Sequence, residues 1–298
     1  MHRRNFIRNT AFSAVAVSAF GFVRFDGDHY VGDCETTSDI LGPFYRPGSP
    51  VRNSLVIKGE PGELVELTGM IKHKDCVTPY KNAKIELWHC DSKGVYDNET
   101  ADYRYRGTSY CDDKGHYSFQ TIMPVAYDVG PGFVRPAHFH LMITAEGYQP
   151  LVTQLYFTGD KYIPKDSSAA SPLAKKRILN VQTKADGTKQ VLYDVSMAEQ
   201  LAINPADIGK LTGVYTEITD KTKTIEFAKQ DNFLLMKNEV FGMYFVYTGN
   251  NSFEYPGMPP GAFLKLNFVL LGSGDVKLNF SYNGDDMVEH SEVYMKTK

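Results

Sequence analysis

The chain has 298 residues, with 32 Lys and Arg against 35 Asp and Glu and a net charge of -3. It therefore carries no basic field of the kind nucleic acid requires, and no nucleic-acid partner is expected. That length allows one large or two modest domains, and 25 Gly, 15 Pro, 19 Tyr and 18 Phe against a single Trp suit a strand-rich, turn-rich protein.

Residues 1–24 read as an export signal of the twin-arginine type. Arg3 and Arg4 precede Phe6, and an uncharged run rich in Ala, Ser and Val follows. The run is too short to span a bilayer comfortably, and Val17-Ser18-Ala19 offers small residues for cleavage. The expectation is a periplasmic or extracellular protein with no stable membrane span once the signal is removed. "VGDC" lacks the apolar and small residues that precede a lipidated cysteine, so no lipid anchor is expected on Cys34. The four cysteines, Cys34, Cys76, Cys90 and Cys111, show no CxxC pair and no zinc-ligand spacing, leaving a disulfide framework and free buried thiols both open.

Residues 25–54 form an arm in which Gly42-Pro43 and Pro47-Gly48 forbid regular structure. From 55 to 200, strand-like runs recur: "LVELTGMI" at 64, "AKIELWHC" at 83, "HYSFQTI" at 116, "HFHLMITA" at 138, "LVTQLYF" at 151 and "QVLYDV" at 190. Turn signals such as "CDDKG", "AEGYQP" and "KADGTK" separate them, which predicts an all-β, antiparallel sandwich. Helices are predicted only at "SPLAKKRIL" near 171 and "SMAEQLAI" near 196. Residues 205–298 carry a second alternating series, from "LTGVYTEI" to "VKLNFSYN", that predicts a small β-rich module or partial barrel. Its "LKLNF" and "VKLNFSY" runs, joined through "GSGD", read as a hairpin. No ionisable cluster in it looks catalytic, so packing or oligomer contacts are its expected role.

The chemistry concentrates at "RPAHFH", residues 135–140. His138 and His140 project from one face of a strand because side chains alternate at period two. Taken alone, the pair leaves a metal site and a hydrogen-bonded cleft pair both open, and no suitably spaced glutamate completes a facial triad. Tyrosine is what the neighbourhood offers. Tyr96 follows "DSKG" and Tyr127 follows "TIMPVA", both at strand-to-loop exits where sites are commonly built.

Five stretches, "LGPFYRPGSP", "IELWHCDSKGVYDN", "YRGTSYCDDKGHYSFQTIMPVAY", "RPAHFHLMI" and "LVTQLYFTGDKY", resemble in order the successive motifs of the intradiol ring-cleavage dioxygenases. The resemblance covers residues 36 to about 165. It implies a mononuclear non-haem Fe(III) held by Tyr96 and Tyr127 as tyrosinates and by His138 and His140 as imidazoles. It also implies a catechol-type diol and O2 as substrates and a cis,cis-muconate-type product. Tyr127 would leave the metal as the diol binds, Arg135 would face charge developing on the substrate ring, Gln154 would stand beside it, and Gly42, Pro43 and Tyr45 would line the cavity. Arg106 and His89 also match family positions, with structural roles expected for both. The donor set suits a hard ferric cation, since a phenol with pKa about 10 ionises near neutrality only when a metal lowers that value.

The chain departs from the family pattern in reading Val125 where glycine is usual and Cys90 where alanine is common. It also lacks the long helical N-terminal dimerisation segment of cytoplasmic catechol dioxygenases. That likens the core to the protocatechuate-type subunit or to secreted single-chain relatives acting on lignin-derived catechols. Two competing readings are an exported carrier or binding module without catalysis and a zinc or copper enzyme built on the histidine pair. Homo-oligomerisation is left open.

Overall fold

The structure is a computed structural model describing residues 17–18, 21–25, 30–32, 35–130, 132–198, 205–230, 233–237, 243–255, 262–283 and 288–297. Arg3, Arg4, Phe6, Ala19 and Cys34, on which the export and anchor readings rest, lie outside the described residues. Short strands at Val17–Ser18, Gly21–Phe25 and Tyr30–Gly32 pair antiparallel in a small sheet.

Two sheets form the body of residues 64–196. One orders Ile178–Leu179, Leu151–Phe157, His138–Thr144, Lys84–Trp88 and Arg106–Tyr110. The other centres on Leu64–Lys72, which pairs antiparallel with His116–Ile122 and parallel with Lys189–Leu192 and Val195–Ser196. Val65, Leu67, Ile71 and Phe119 meet Ile85, Leu87, Phe139, Leu141 and Leu155 in the layer between them. This is the expected sandwich, with each strand sending alternate side chains inward.

The first sheet is buried on both faces. Every residue of Leu151–Phe157 and nearly every one of His138–Thr144 is buried, so these strands read as continuous apolar runs rather than alternations. Phe139 and Leu141 enter the inter-sheet core, while His138, His140 and Met142 point the other way. Register places Trp88 and Gln154 beside His140, and Tyr156 beside His138, so all of these share the outer face.

The expected helices differ from what is found. Pro172–Arg177 is a 3-10 helix whose end turns extended at Ile178, because Ile178–Leu179 joins the sheet edge beside Tyr156–Phe157. Ser196, where the second expected helix starts, ends the strand Val195–Ser196 paired to Ile71–Lys72, and residues 199–203 lie outside the described residues. The α-helix among the described residues is Pro205–Leu211.

Residues 213–296 close into an eight-stranded barrel in simple sequence order. The expected hairpin is present, with Leu264–Leu270 paired antiparallel to Val276–Asn283. Glu289–Lys296 completes the closure against Gly213–Glu217. Tyr215, Phe227, Phe245, Phe253, Leu266 and Phe268 pack the interior, as in a small barrel whose side chains fill the lumen. Leu235, Tyr244 and Val246 face outward instead and pack with Met142, Val152 and Trp88 on the outer face of the first sheet. Barrel and N-terminal arm together cover that face.

Candidate active site

Tyr96 and Tyr127 reach the outer face from two loops. The loop before Tyr96 turns at Gly94, whose φ is +83° and where a Cβ would stand 2.7 Å from the Tyr127 Cβ. A side chain there would push the two tyrosines apart, so glycine is what lets both loops approach. Tyr127 begins a short strand and lies in register with Arg135. The chain passes Val125 without a left-handed φ, so the missing family glycine costs this loop nothing, and Val125 packs beside Tyr96 and Tyr127 instead.

Four donor atoms converge. The Nε2 atoms of His138 and His140 stand 3.1 Å apart, and the hydroxyls of Tyr96 and Tyr127 lie 3.4 Å and 3.5 Å from the His138 Nε2. Donors about 2.1 Å from a shared cation, at right angles, stand about 3 Å apart, so this spacing fits one metal ion. The His138 Nδ1 must donate to the Pro136 carbonyl at 2.7 Å, since a carbonyl only accepts. Its Nε2 therefore presents a lone pair to the centre, the arrangement by which a backbone group orients a ligating histidine. Trp88 stacks on the His140 ring at 4.8 Å and 10° and fixes its plane. The His140 Nδ1 is buried with no hydrogen-bond partner among the described residues.

Burial also sets the protonation states. It pushes the His138 imidazole down to about 3 and holds His140 well below the ordinary histidine range. It raises the Tyr96 phenol well above its usual value and raises Tyr127 as well. Both imidazoles are thus unprotonated at neutral pH, and the phenols ionise only if a cation supplies the compensating charge. The residues fit a ferric ion. Among the described residues no three His, Cys, Asp or Glu side chains gather as a metal site; the partners of the histidine pair are the two tyrosines.

A buried polar network backs the four donors. Arg135 donates to Asp166 at 2.6 Å, to the Gln154 Oε1 at 2.8 Å and to the Tyr156 hydroxyl at 3.2 Å. The Tyr156 hydroxyl in turn lies 2.9 Å from an Asp39 oxygen, which also pairs with Arg177. Burial opposes the charge on Arg135, but Tyr156 and Asp166 outweigh it and its pKa is raised. The guanidinium is a permanent charge beside Tyr127. Gln154 also donates to the Ile40 carbonyl at 2.7 Å and so ties the network to the arm.

The arm residues divide. Gly42, with φ +74°, packs so closely that a Cβ would be 3.3 Å from the His140 Cε1. Pro43 is exposed at the turn. Tyr45 turns away toward Trp88 and places its hydroxyl 3.4 Å from Glu86. Phe44, not singled out from the sequence, stacks on Tyr96 at 4.4 Å and meets Tyr127 edge-on at 6.2 Å. Arg106 donates to the Phe44 carbonyl at 2.6 Å, and His89 is held by the Cys90 carbonyl and Thr121. Cys90 and Cys111 are free buried thiols, whereas Cys76 is disulfide-bonded. A surface cavity of about 520 Å³ borders Tyr96 and is lined by Asp91, Lys93, Val95, Asp97 and Arg104 among others.

Asp39, Tyr156, Asp166, Arg177 and Phe44 were not legible as site residues. Asp39 and Arg177 stand 138 positions apart, and only the fold brings them together. Tyr156 could have been found, since it follows Gln154 at period two on the strand facing His138.

Known proteins give the same picture. A family model described as "Dioxygenase" matches residues 40–199, which is 160 of the 298 positions. A chlorocatechol 1,2-dioxygenase of Rhodococcus opacus is 35% identical over 158 residues, 45% of this chain and 61% of that protein. A catechol 1,2-dioxygenase of Candida albicans is 32% identical over 203 residues, 57% of this chain and 65% of the relative. This chain thus spans less than two thirds of the length of either. The crystal structure of 3-chlorocatechol 1,2-dioxygenase from Rhodococcus opacus 1CP superposes with a TM-score of 0.50 at 25% identity, covering 55% of this chain and 72% of that one. With the matched region holding all four converging donors, the chain belongs to the intradiol ring-cleavage dioxygenase family.

Proposed function

We propose that the protein is an oxidoreductase that uses O2 to cleave a catechol-type diol between its two hydroxylated carbons, giving a cis,cis-muconate-type product. The observation that carries this reading is the convergence of Tyr96, Tyr127, His138 and His140 within 3.1–3.5 Å contacts at the His138 Nε2. Fe(III) held by those four side chains would supply Lewis acidity toward the diol oxygens and the electrons' route to O2.

The protein's own groups then have distinct parts. Tyr127 is less buried than Tyr96, so its hydroxyl oxygen is the more accessible of the two for a proton released by the incoming diol. Arg135, in register with Tyr127, faces the charge that develops on the ring and cannot quench it by losing its own proton. Gln154 and Asp166 fix the guanidinium from two sides. Gly42 and Phe44 close over His140 and Tyr96 and keep bulk water off the centre. The relatives' printed names cover catechol, chlorocatechol and hydroxyquinol, which sets the substrate panel.

Purified protein loaded with iron should be red-brown from tyrosinate-to-iron charge transfer, and the colour should shift on adding catechol. Oxygen uptake over catechol, protocatechuate, chlorocatechol and hydroxyquinol, with product identification, then ranks the substrates. A colourless preparation that binds no iron, or products cleaved outside the two hydroxylated carbons, would sink the reading. We further propose export by the twin-arginine route, supported by Arg3, Arg4 and the apolar run that follows. A reporter fused after residue 24 should leave the cytoplasm, and Arg3→Lys with Arg4→Lys should retain it there.

A further inference from the structure

The barrel and the arm meet where the Tyr255 hydroxyl faces the Leu41 and Gly42 amides. Tyr255 follows the Ser252–Glu254 strand, and its ring packs against Phe245 of the barrel interior at 5.8 Å. It belongs both to the barrel core and to the cluster holding Leu41, Trp88, Tyr96 and Tyr127. Its hydroxyl accepts from the Leu41 amide at 3.1 Å across 214 positions of sequence. Leu41 is fully buried, and the next residue is Gly42, the one pressed against His140.

Among the described residues, three side chains from distant parts of the chain thus hold the backbone of residues 40–44. Gln154 takes the Ile40 carbonyl, Tyr255 the Leu41 amide and Arg106 the Phe44 carbonyl, at 2.7, 3.1 and 2.6 Å. Gln154 and Arg106 come from the catalytic sandwich. Tyr255 alone comes from outside it, and it holds the end of the arm nearest His140.

We propose that Tyr255 is a positioning residue, through which the C-terminal barrel clamps the Leu41–Gly42 turn over the metal centre and so sets how tightly the diol pocket closes. The barrel is then a built-in wall of the site rather than an independent appendage. The part concerning substrate rests on the dioxygenase reading above; the clamp itself does not.

The test uses the full chain with Tyr255→Phe, which keeps the ring and removes the acceptor. In metal-free protein, amide exchange at Leu41 and Gly42 should accelerate at least tenfold while the strands at 138–144 and 264–270 stay protected. In iron-loaded protein, iron content should hold, KM for catechol should rise about five- to twentyfold and kcat should stay within twofold. Phe245→Leu, which retains the hydroxyl but loosens the ring behind it, should give the same changes in smaller measure. Asn279→Ala, in the barrel but outside the shared cluster, should change neither. Unaltered exchange at Leu41 in both variants, or a fall in kcat with KM unmoved, would overturn the clamp. If wild-type protein turns over no diol yet Tyr255→Phe frees the Leu41 amide, the dioxygenase reading fails and the clamp stands.

Discussion

The sandwich and the barrel are both β-structures with aromatic interiors, yet they bury different things. Among the described residues, fifteen of the buried polar or charged side chains lie between Asp39 and Ser196, and two, Glu217 and Asn283, belong to the barrel. Burying such groups costs free energy unless partners satisfy them. The barrel largely avoids that cost and is specified by packing. Tyr215, for example, sits edge-on to Phe227 and Phe268, and its hydroxyl is satisfied by the Leu211 carbonyl at 2.8 Å. The sandwich instead concentrates Arg135, Asp166, Gln154, Tyr156, Asp39 and Arg177 behind two histidines, a burial that supports the site proposed there.

The contrast can be broken at its strongest point. His138→Ala or His140→Ala removes a donor around which the other three are arranged, and even orienting neighbours of metal ligands typically change affinity by about 10–100-fold. We expect more than that loss in iron affinity and no measurable turnover, with near-native unfolding temperature. Metal analysis and the visible spectrum report the outcome, and retained iron and colour would show that the histidines are only packed.

Next in size is Arg135→Ala. Losing a preorganised charge partner costs on the order of 100- to 1,000-fold in kcat, with iron retained. The same change leaves the Asp166 carboxylate buried and unpaired, so about 3–5 kcal/mol of stability should also go. Removing Asp166 as well should restore much of the stability and none of the turnover. If turnover returned in the double variant, Arg135 would be a brace and not a charge partner.

On the barrel side the expectation reverses. Phe268→Ala should cost about 3–5 kcal/mol in denaturant unfolding of the barrel and leave iron content where it was, since Phe268 lies in the barrel core and outside the cluster around Tyr96. An equal loss of iron would mean that the two units fold only together.

How much of this was readable from residues alone follows the range of the interactions. Period-two alternation placed His138 and His140 on one face and Phe139 on the other, and the strands at 64 and 116 were visible for the same reason, while the strand at 151 was visible as a run bounded by turn signals. Tyr96 and Tyr127 stood out locally only as tyrosines at strand-to-loop exits, and motifs in order were needed to make them ligands, because no local rule says that two loops will meet at Gly94. Arg106–Tyr110 and Glu289–Lys296 went unseen as strands: "RGTSY" and "EHSEVYMK" carry too few apolar residues to alternate, and in the latter only Tyr294 is buried. That hidden strand is what turns a partial barrel into a closed one. The helix expected near 171 is a 3-10 helix that gives way to strand at Ile178, and Ser196 is strand where the second expected helix begins, because pairing to an existing sheet edge outweighed weak local helix preference.

The smallest expected effect is one of pH, and it too separates the two regions. His138 and His89 are pushed by burial to about 3 and about 4 from an ordinary value of 6.5, and both lie in the sandwich. The barrel's histidine, His290, is exposed. For a group whose folded pKa is depressed, the unfolded chain takes up protons that the folded state refuses. Stability is therefore full above about 6.5 and drains as pH falls through 4 toward 3, by at most about 1.4 kcal/mol per pH unit for each histidine. In metal-free protein, amide protection in the 138–144 and 151–157 strands should fall across that window before protection in the 264–270 and 276–283 strands does. His89→Gln should flatten part of the slope without touching the metal donors. A sandwich and barrel losing protection in parallel would mean that buried histidine charge is not what distinguishes them, and the asymmetry in buried polar groups would then have no consequence for acid stability.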